Sequence, residues 1–126
     1  MISVVMVEPD KPAKTVQIGT DLADLQEAVG GYIETCYPFE SDVCIVCNEE
    51  GKFNGMAPNR ALFDEDGNVL DIIFGPFFVC DCSGENFDSL SPEQMEFYIN
   101  RFKDPEYFFR KDGKIWAVAY NAYHAF

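Results

Sequence analysis

The chain has 126 residues, 48% of them apolar and 15% aromatic, with 22 acidic side chains against 9 basic ones and a net charge of −13. That length and apolar share suit one domain with a buried core and exclude a disordered chain. The charge sets the chain against nucleic-acid phosphates and anionic lipid, so direct binding of DNA, RNA or a membrane surface is not expected.

The charge is unevenly spread. Residues 15–100 hold 17 acids and only two bases, Lys52 and Arg60, a net of −15, while residues 101–126 carry five bases and three acids. The bland reading of such acidity is solubility. The sharper one is attraction to a cationic surface. The first residues lack a basic stretch and a long apolar run, and no segment has the ~20 apolar residues that span a bilayer. Five cysteines without an export signal then read as reduced thiols, and the location expected is cytoplasmic.

In chain order, the β-branched run at 2–7 predicts a central strand, and the alternation at 14–18 a half-buried one. Residues 21–29 read as a short helix. Thr20 or Asp21 stands at its cap, Leu22, Leu25 and Val29 share one face, and Gly30-Gly31 ends it. Strands are expected at 32–37 and 42–47. Polar turns at 48–51 and 64–68 bracket Asn59-Arg60-Ala61-Leu62, and the bulky run at 72–79 predicts a buried strand pair bent at Gly75-Pro76. Residues 80–88 read as polar loop.

Ser91, Pro92 and Gln94 then give a capping box, with Leu90 and Met95 spaced as a hydrophobic staple. Met95, Tyr98, Ile99 and Phe102 form the helix's apolar stripe, which Asp104-Pro105 stops. A hairpin follows at 107–110 and 114–120, closed by Asp112-Gly113. The fold class expected is α+β, a mostly antiparallel sheet with two short helices in a single compact domain over residues 1–126.

Four separated blocks carry a resemblance: Val29-Gly30-Gly31-Tyr32-Ile33-Glu34, Asn48-Glu49-Glu50-Gly51-Lys52, Asn59-Arg60-Ala61-Leu62, and Ile73-Phe74-Gly75-Pro76-Phe77-Phe78. Together they resemble an uncharacterised family of small domains encoded on phages and conjugative elements of Gram-positive bacteria. The resemblance covers about residues 1–100. Pro76 stands where the family pattern has a small polar residue, and the hairpin and tail at 105–126 lie outside it. The family has no assigned activity. Its genetic setting implies an accessory protein, of the kind that blunts host defence.

Catalysis has little support in the residues. The lone histidine, His124, is three positions from the end, no base is patterned beside a serine or cysteine, and no glycine-rich phosphate loop is present, so no enzyme and no cofactor are expected. Cys44 and Cys47 sit in a predicted strand, where positions three apart face opposite ways. With Cys80 and Cys82 they make a poor zinc set, and most of the thiols read as small buried hydrophobes. Asp64, Asp66 and Asn68 alternate like a calcium loop, but Val69 and Gly75 stand where that loop needs glycine and glutamate, so no metal is expected.

Arg60 has two readings. It can tie Glu34 or Asp71 to the central segment by a bidentate ion pair, or hold an anionic ligand together with Lys52. The function expected is that of an acidic, non-catalytic inhibitor whose turn residues Glu49, Glu50, Asp64, Glu65 and Asp66 occupy a basic, nucleic-acid-binding groove on a host nuclease. The alternative is a protein that sequesters a nucleotide signal through Arg60 and Lys52. The aromatic tail (Tyr120, Tyr123, Phe126) offers a homodimer contact, although apolar residues at that spacing more often cover their own core.

Overall fold

The computed structural model describes residues 1–119, and the expected Tyr120 end of the last strand, the aromatic tail and His124 lie outside them. The first strand, β1 (Ile2–Val7), is β-branched and buried along nearly its whole length. It pairs antiparallel with β2 (Lys14–Ile18) on one side, Val4 opposite Val16, and with β7 (Phe77–Asp81) on the other, Met6 opposite Phe78. β7 in turn pairs with β4 (Val43–Asn48), and β4 with β3 (Ile33–Cys36), which gives an antiparallel five-stranded sheet in the order β2-β1-β7-β4-β3.

Both faces of this sheet are covered, which is why β4 and β7 read as continuous apolar runs rather than alternating ones. On one face Ile2, Val4, Met6, Cys44, Val46, Phe78 and Cys80 pack under Leu25 and Val29 of α1 (Leu22–Val29). On the other, Val5, Val7, Val43, Ile45, Cys47, Phe77 and Val79 meet Tyr98 of α2 (Pro92–Arg101) and Phe102 at its end. Phe102 is fully buried and packs edge-on against Phe77, with ring centroids 5.3 Å apart. A side chain of that size contributes roughly 1.5–3 kcal/mol on burial, so the α2 face carries much of the core.

The α2 cap forms as its residues dictate. Gln94 N donates to Ser91 Oγ (3.1 Å), Ser91 N donates to Gln94 Oε1 (2.9 Å), and Pro92 opens the helix. Leu90 is buried and Met95 packs against the same core. α1 differs in two details. Asp21 occupies its cap position in extended backbone but makes no side-chain cap bond, and Leu22, expected on the buried face, is 58% exposed. Gly30, at φ 81°, closes α1 by donating its N–H to Gln26 O.

The predicted strand pair at 72–79 is corrected: its two halves belong to different sheets. β6 (Val69–Phe74) pairs with β5 (Pro58–Phe63) in a separate two-stranded ribbon, while β7 enters the middle of the main sheet. Gly75, at φ 84°, makes the corner between them. Only Leu62 and Ile73 of the ribbon reach the core on the α2 face. The predicted loop at 80–88 is also shortened, because β7 runs to Asp81 and Asp81 bridges Asp88 across a tight excursion. The last two strands, β8 (Glu106–Lys111) and β9 (Lys114–Ala119), form the expected hairpin, with Asp112 and Gly113 both at positive φ in its two-residue turn. Over the described residues the fold is α+β, 43% strand, with two helices. No helix among the described residues is long and apolar enough to cross a membrane.

Candidate functional site

Asn59 and Arg60, adjacent in β5, are buried polar residues at 1% and 0% exposure. The Arg60 guanidinium has five N–H donors and engages all of them. Nε (3.3 Å) and Nη2 (2.9 Å) donate to Phe102 O, Nη2 donates to Lys11 O (2.7 Å), and Nη1 donates to Asn59 O (3.3 Å) and Asn59 Oδ1 (2.9 Å). Asn59 Nδ2 donates onward to Val7 O (2.9 Å) and Gly75 O (2.8 Å). Two side chains thus join the end of α2, the β1–β2 loop, the end of β1 and the Gly75 corner.

The expected pairing of Arg60 with Glu34 or Asp71 is corrected. Its hydrogen-bond partners are carbonyl oxygens, while Asp71 Oδ1 takes Lys52 Nζ at 2.6 Å. Burial lowers the Arg60 pKa from its usual value. Glu106, Asp104 and Asp10 oppose that shift and favour the charged form. With no exposed surface and no spare donor, Arg60 has nothing with which to meet a solute. Lys52 is half-exposed and occupied by Asp71 in an ion pair worth at most about 1 kcal/mol at a surface.

Glu106 is a residue that the sequence reading did not single out. Its Oε1 accepts from Ala61 N at 2.9 Å, and burial raises its pKa, against the Ala61 N–H, Arg60 and Arg101, which lower it. Arg101 completes this layer, stacking over the rings of Phe102 (4.7 Å) and Phe63 (5.5 Å) and donating to Ala61 O.

The acidic turns are organised locally. Asn48 Oδ1 accepts from Glu50 N (2.8 Å) and its Nδ2 donates to Val29 O (3.2 Å), so the Glu49-Glu50 turn is tied to the end of α1. Asp64 Oδ1 accepts from Asp66 N and Asn68 N, both 2.9 Å. All five turn acids are exposed, and none makes an ion pair among the described residues. They do not form one cluster. Gly51 lies against Phe74 at one end of the β5–β6 ribbon and Asp64 begins the turn at the other, roughly 17 Å away for a strand of that length. A third acidic group, missed in the sequence, comes from strand pairing: Asp81 bridges Asp88, and Cys82 N donates to Asp42 O.

The thiols divide between the two faces of the sheet. Cys44 and Cys47 point opposite ways. Cys44 Sγ lies 3.7 Å from Cys80 Sγ, with Cys82 sharing their side, while Cys47 and Cys36 share the α2 face. The described residues include no group of three or more His, Cys, Asp or Glu arranged to hold a metal ion.

The four resembling blocks prove to be neighbours in space. Asn48 closes on Val29 and Gly31, and Asn59 on the Gly75 corner, so these residues hold the fold's crossings. A domain of unknown function (DUF3846) matches residues 2–103, most of the chain, and the chain belongs to that family. No curated protein and no solved structure matches it.

Proposed function

We propose that this protein acts without catalysis, by laying an anionic surface into a basic groove of a partner protein. The observation that supports this is the fate of its cations. Of the six between residues 1 and 103, Arg60 is buried, Lys11 and Lys14 lie on Glu8, Lys52 lies on Asp71, Arg101 stacks on two phenylalanines, and Lys103 is left. The exposed carboxylates of the same region, Glu49, Glu50, Asp64, Glu65 and Asp66 among them, therefore face solvent with little compensation.

Such a surface mimics the charge of a nucleic-acid backbone. In the setting of a phage or conjugative element, the partner proposed is a host nuclease of the restriction or RNA-guided type, whose nucleic-acid groove the protein would occupy as a counter-defence inhibitor. Steering by the negative field makes the association fast and salt-sensitive. The test is competition. Labelled duplex DNA is held on a panel of restriction and RNA-guided nucleases without cleavage, and the protein is titrated in at low and high salt. The reading expects displacement from at least one nuclease that weakens steeply with salt. Failure to displace DNA from any of them at low salt would sink it.

A further inference from the structure

A cleft of about 310 Å³ opens between β3–β4 and β6, and two thiols line it, Cys36 and Cys47. Glu34 lies opposite Cys47 and Cys36 opposite Ile45, which makes the two cysteines diagonal neighbours on adjacent strands with side chains on the same face. Cys36 is half-buried on the outermost strand. Cys47 is 6% exposed, and its Sγ lies 3.7 Å from Glu34 O. The Lys52–Asp71 ion pair and Phe53, 89% exposed, complete the cleft wall.

We propose that Cys36 and Cys47 form a redox-active dithiol, which a peroxide entering this cleft converts to a cross-strand disulfide. The Cys36 thiolate attacks one peroxide oxygen and the O–O bond breaks. Cys36 becomes a sulfenic acid, and the departing oxygen leaves as water or an alcohol once protonated. Cys47 sulfur then attacks the Cys36 sulfur, its proton goes to the leaving hydroxide, and water departs. Two thiols and one peroxide give one disulfide, one water and one water or alcohol.

Two features make Cys36 the attacking sulfur. It is the more open of the pair, and the hydrogen bond from Cys47 lowers its pKa, assisted by Lys52 and opposed by burial, Glu34 and Asp71. The same bond and its burial raise the pKa of Cys47, which therefore reacts second. Diagonal neighbours stand about 7–8 Å apart, and a disulfide needs Cα atoms within about 6.8 Å, so closure slides Cys36 by about 1 Å along β4 toward Cys47. β3 is an edge strand of four residues and has the freedom to slide. The fold supplies its own control. Cys44 and Cys80 are directly opposed with sulfurs 3.7 Å apart, but both are 0% exposed, and burial pushes their half-buried neighbour Cys82 up to about 11.

The test uses the whole reduced chain with limiting hydrogen peroxide, quenched by alkylation and cut after glutamate. Cys36 then lies in peptide 35–40, Cys44 and Cys47 in 41–49, and Cys80 and Cys82 in 66–85. The proposal expects the link between 35–40 and 41–49 to form first, to persist in Cys44→Ser and to vanish in Cys36→Ser. In the unmodified chain, iodoacetamide should label Cys36 about tenfold faster than Cys82, a readout that needs no variant to fold. A first link between 41–49 and 66–85, Cys36 accumulating as sulfinic acid without a link, or equal labelling of Cys36 and Cys82 would each overturn it.

Discussion

Arg60 donates twice to the carbonyl oxygen of Phe102, 42 residues away, through Nε and Nη2. That carbonyl belongs to the residue capping α2, so the guanidinium takes up an oxygen at the helix end that the helix itself leaves without a partner. The phenyl ring of the same residue is the centre of the core on that face. One contact thus fixes both how α2 ends and where its apolar stripe sits.

Replacing Arg60 by lysine should therefore be severe despite the kept charge. Lysine brings one ammonium where a five-donor fork joins three backbone segments, and it strands buried carbonyls at about 1–3 kcal/mol each. Urea unfolding of Arg60→Lys should show a loss of about 3 kcal/mol or more. A loss below about 1 kcal/mol would mean that the fork is not what holds the end of α2.

Glu106 gives a prediction in pH. Its pKa is raised in the folded state, so folding favours the protonated form, and the ionised side chain weighs against folding at neutral pH. The opposition fades as pH falls through the raised pKa and is gone below the ordinary value of 4.5. Glu106→Gln keeps an oxygen for Ala61 N, and should be at least as stable as the parent at pH 7. Its advantage should shrink as the pH falls toward 4.5 in parallel denaturation curves. An advantage that grew with acidity would reverse the sign of this argument.

The Ser91 cap is an exposed, reciprocal pair of hydrogen bonds. Ser91→Ala should cost about 1 kcal/mol, and Ser91→Asp should recover most of it. Chemical denaturation of the three proteins decides the matter.

Gly75 is required by geometry. At φ 84°, an added Cβ would stand 2.5 Å from Met56 Sδ. Gly75→Ala should lose about 1–2 kcal/mol from the left-handed backbone, more if Met56 cannot swing aside. Pairing it with Met56→Ala separates the two contributions.

For the proposed inhibitor, the two acidic turns serve as separate probes. Because they stand at opposite ends of the ribbon, neutralising Glu49 and Glu50 should not equal neutralising Glu65 and Asp66. With a partner from the nuclease panel, one pair should slow association about tenfold and the other less than twofold. Asp64 is left intact because it holds its own turn. Equal effects would point to the overall field rather than a contact surface.

What was legible in the sequence was local. The Ser91-Pro92-Gln94 cap, the Asp112-Gly113 turn and the Gly30 stop each depend on residues within a few positions, and each forms as read. The separation of β6 from β7 was not legible, because both are apolar and only pairing with distant β1 and β4 assigns β7 to the main sheet. Arg60 was rightly singled out as a lone cation, but its partners are carbonyls at Lys11 and Phe102, and backbone oxygens leave no mark in composition. Glu106 and the Asp81–Asp88 bridge were missed for the same reason: only the fold brings them to their partners.

β5 has a free side, since the ribbon is only two strands wide. Any extended chain with matching groups could dock there and continue the ladder. Ala61 prevents it at mid-strand: its N–H is already held by Glu106 and its carbonyl by Arg101, two side chains standing in for a third strand. The middle of β5 is therefore closed to strand addition, and a partner that meets it there has to recognise side chains rather than open backbone.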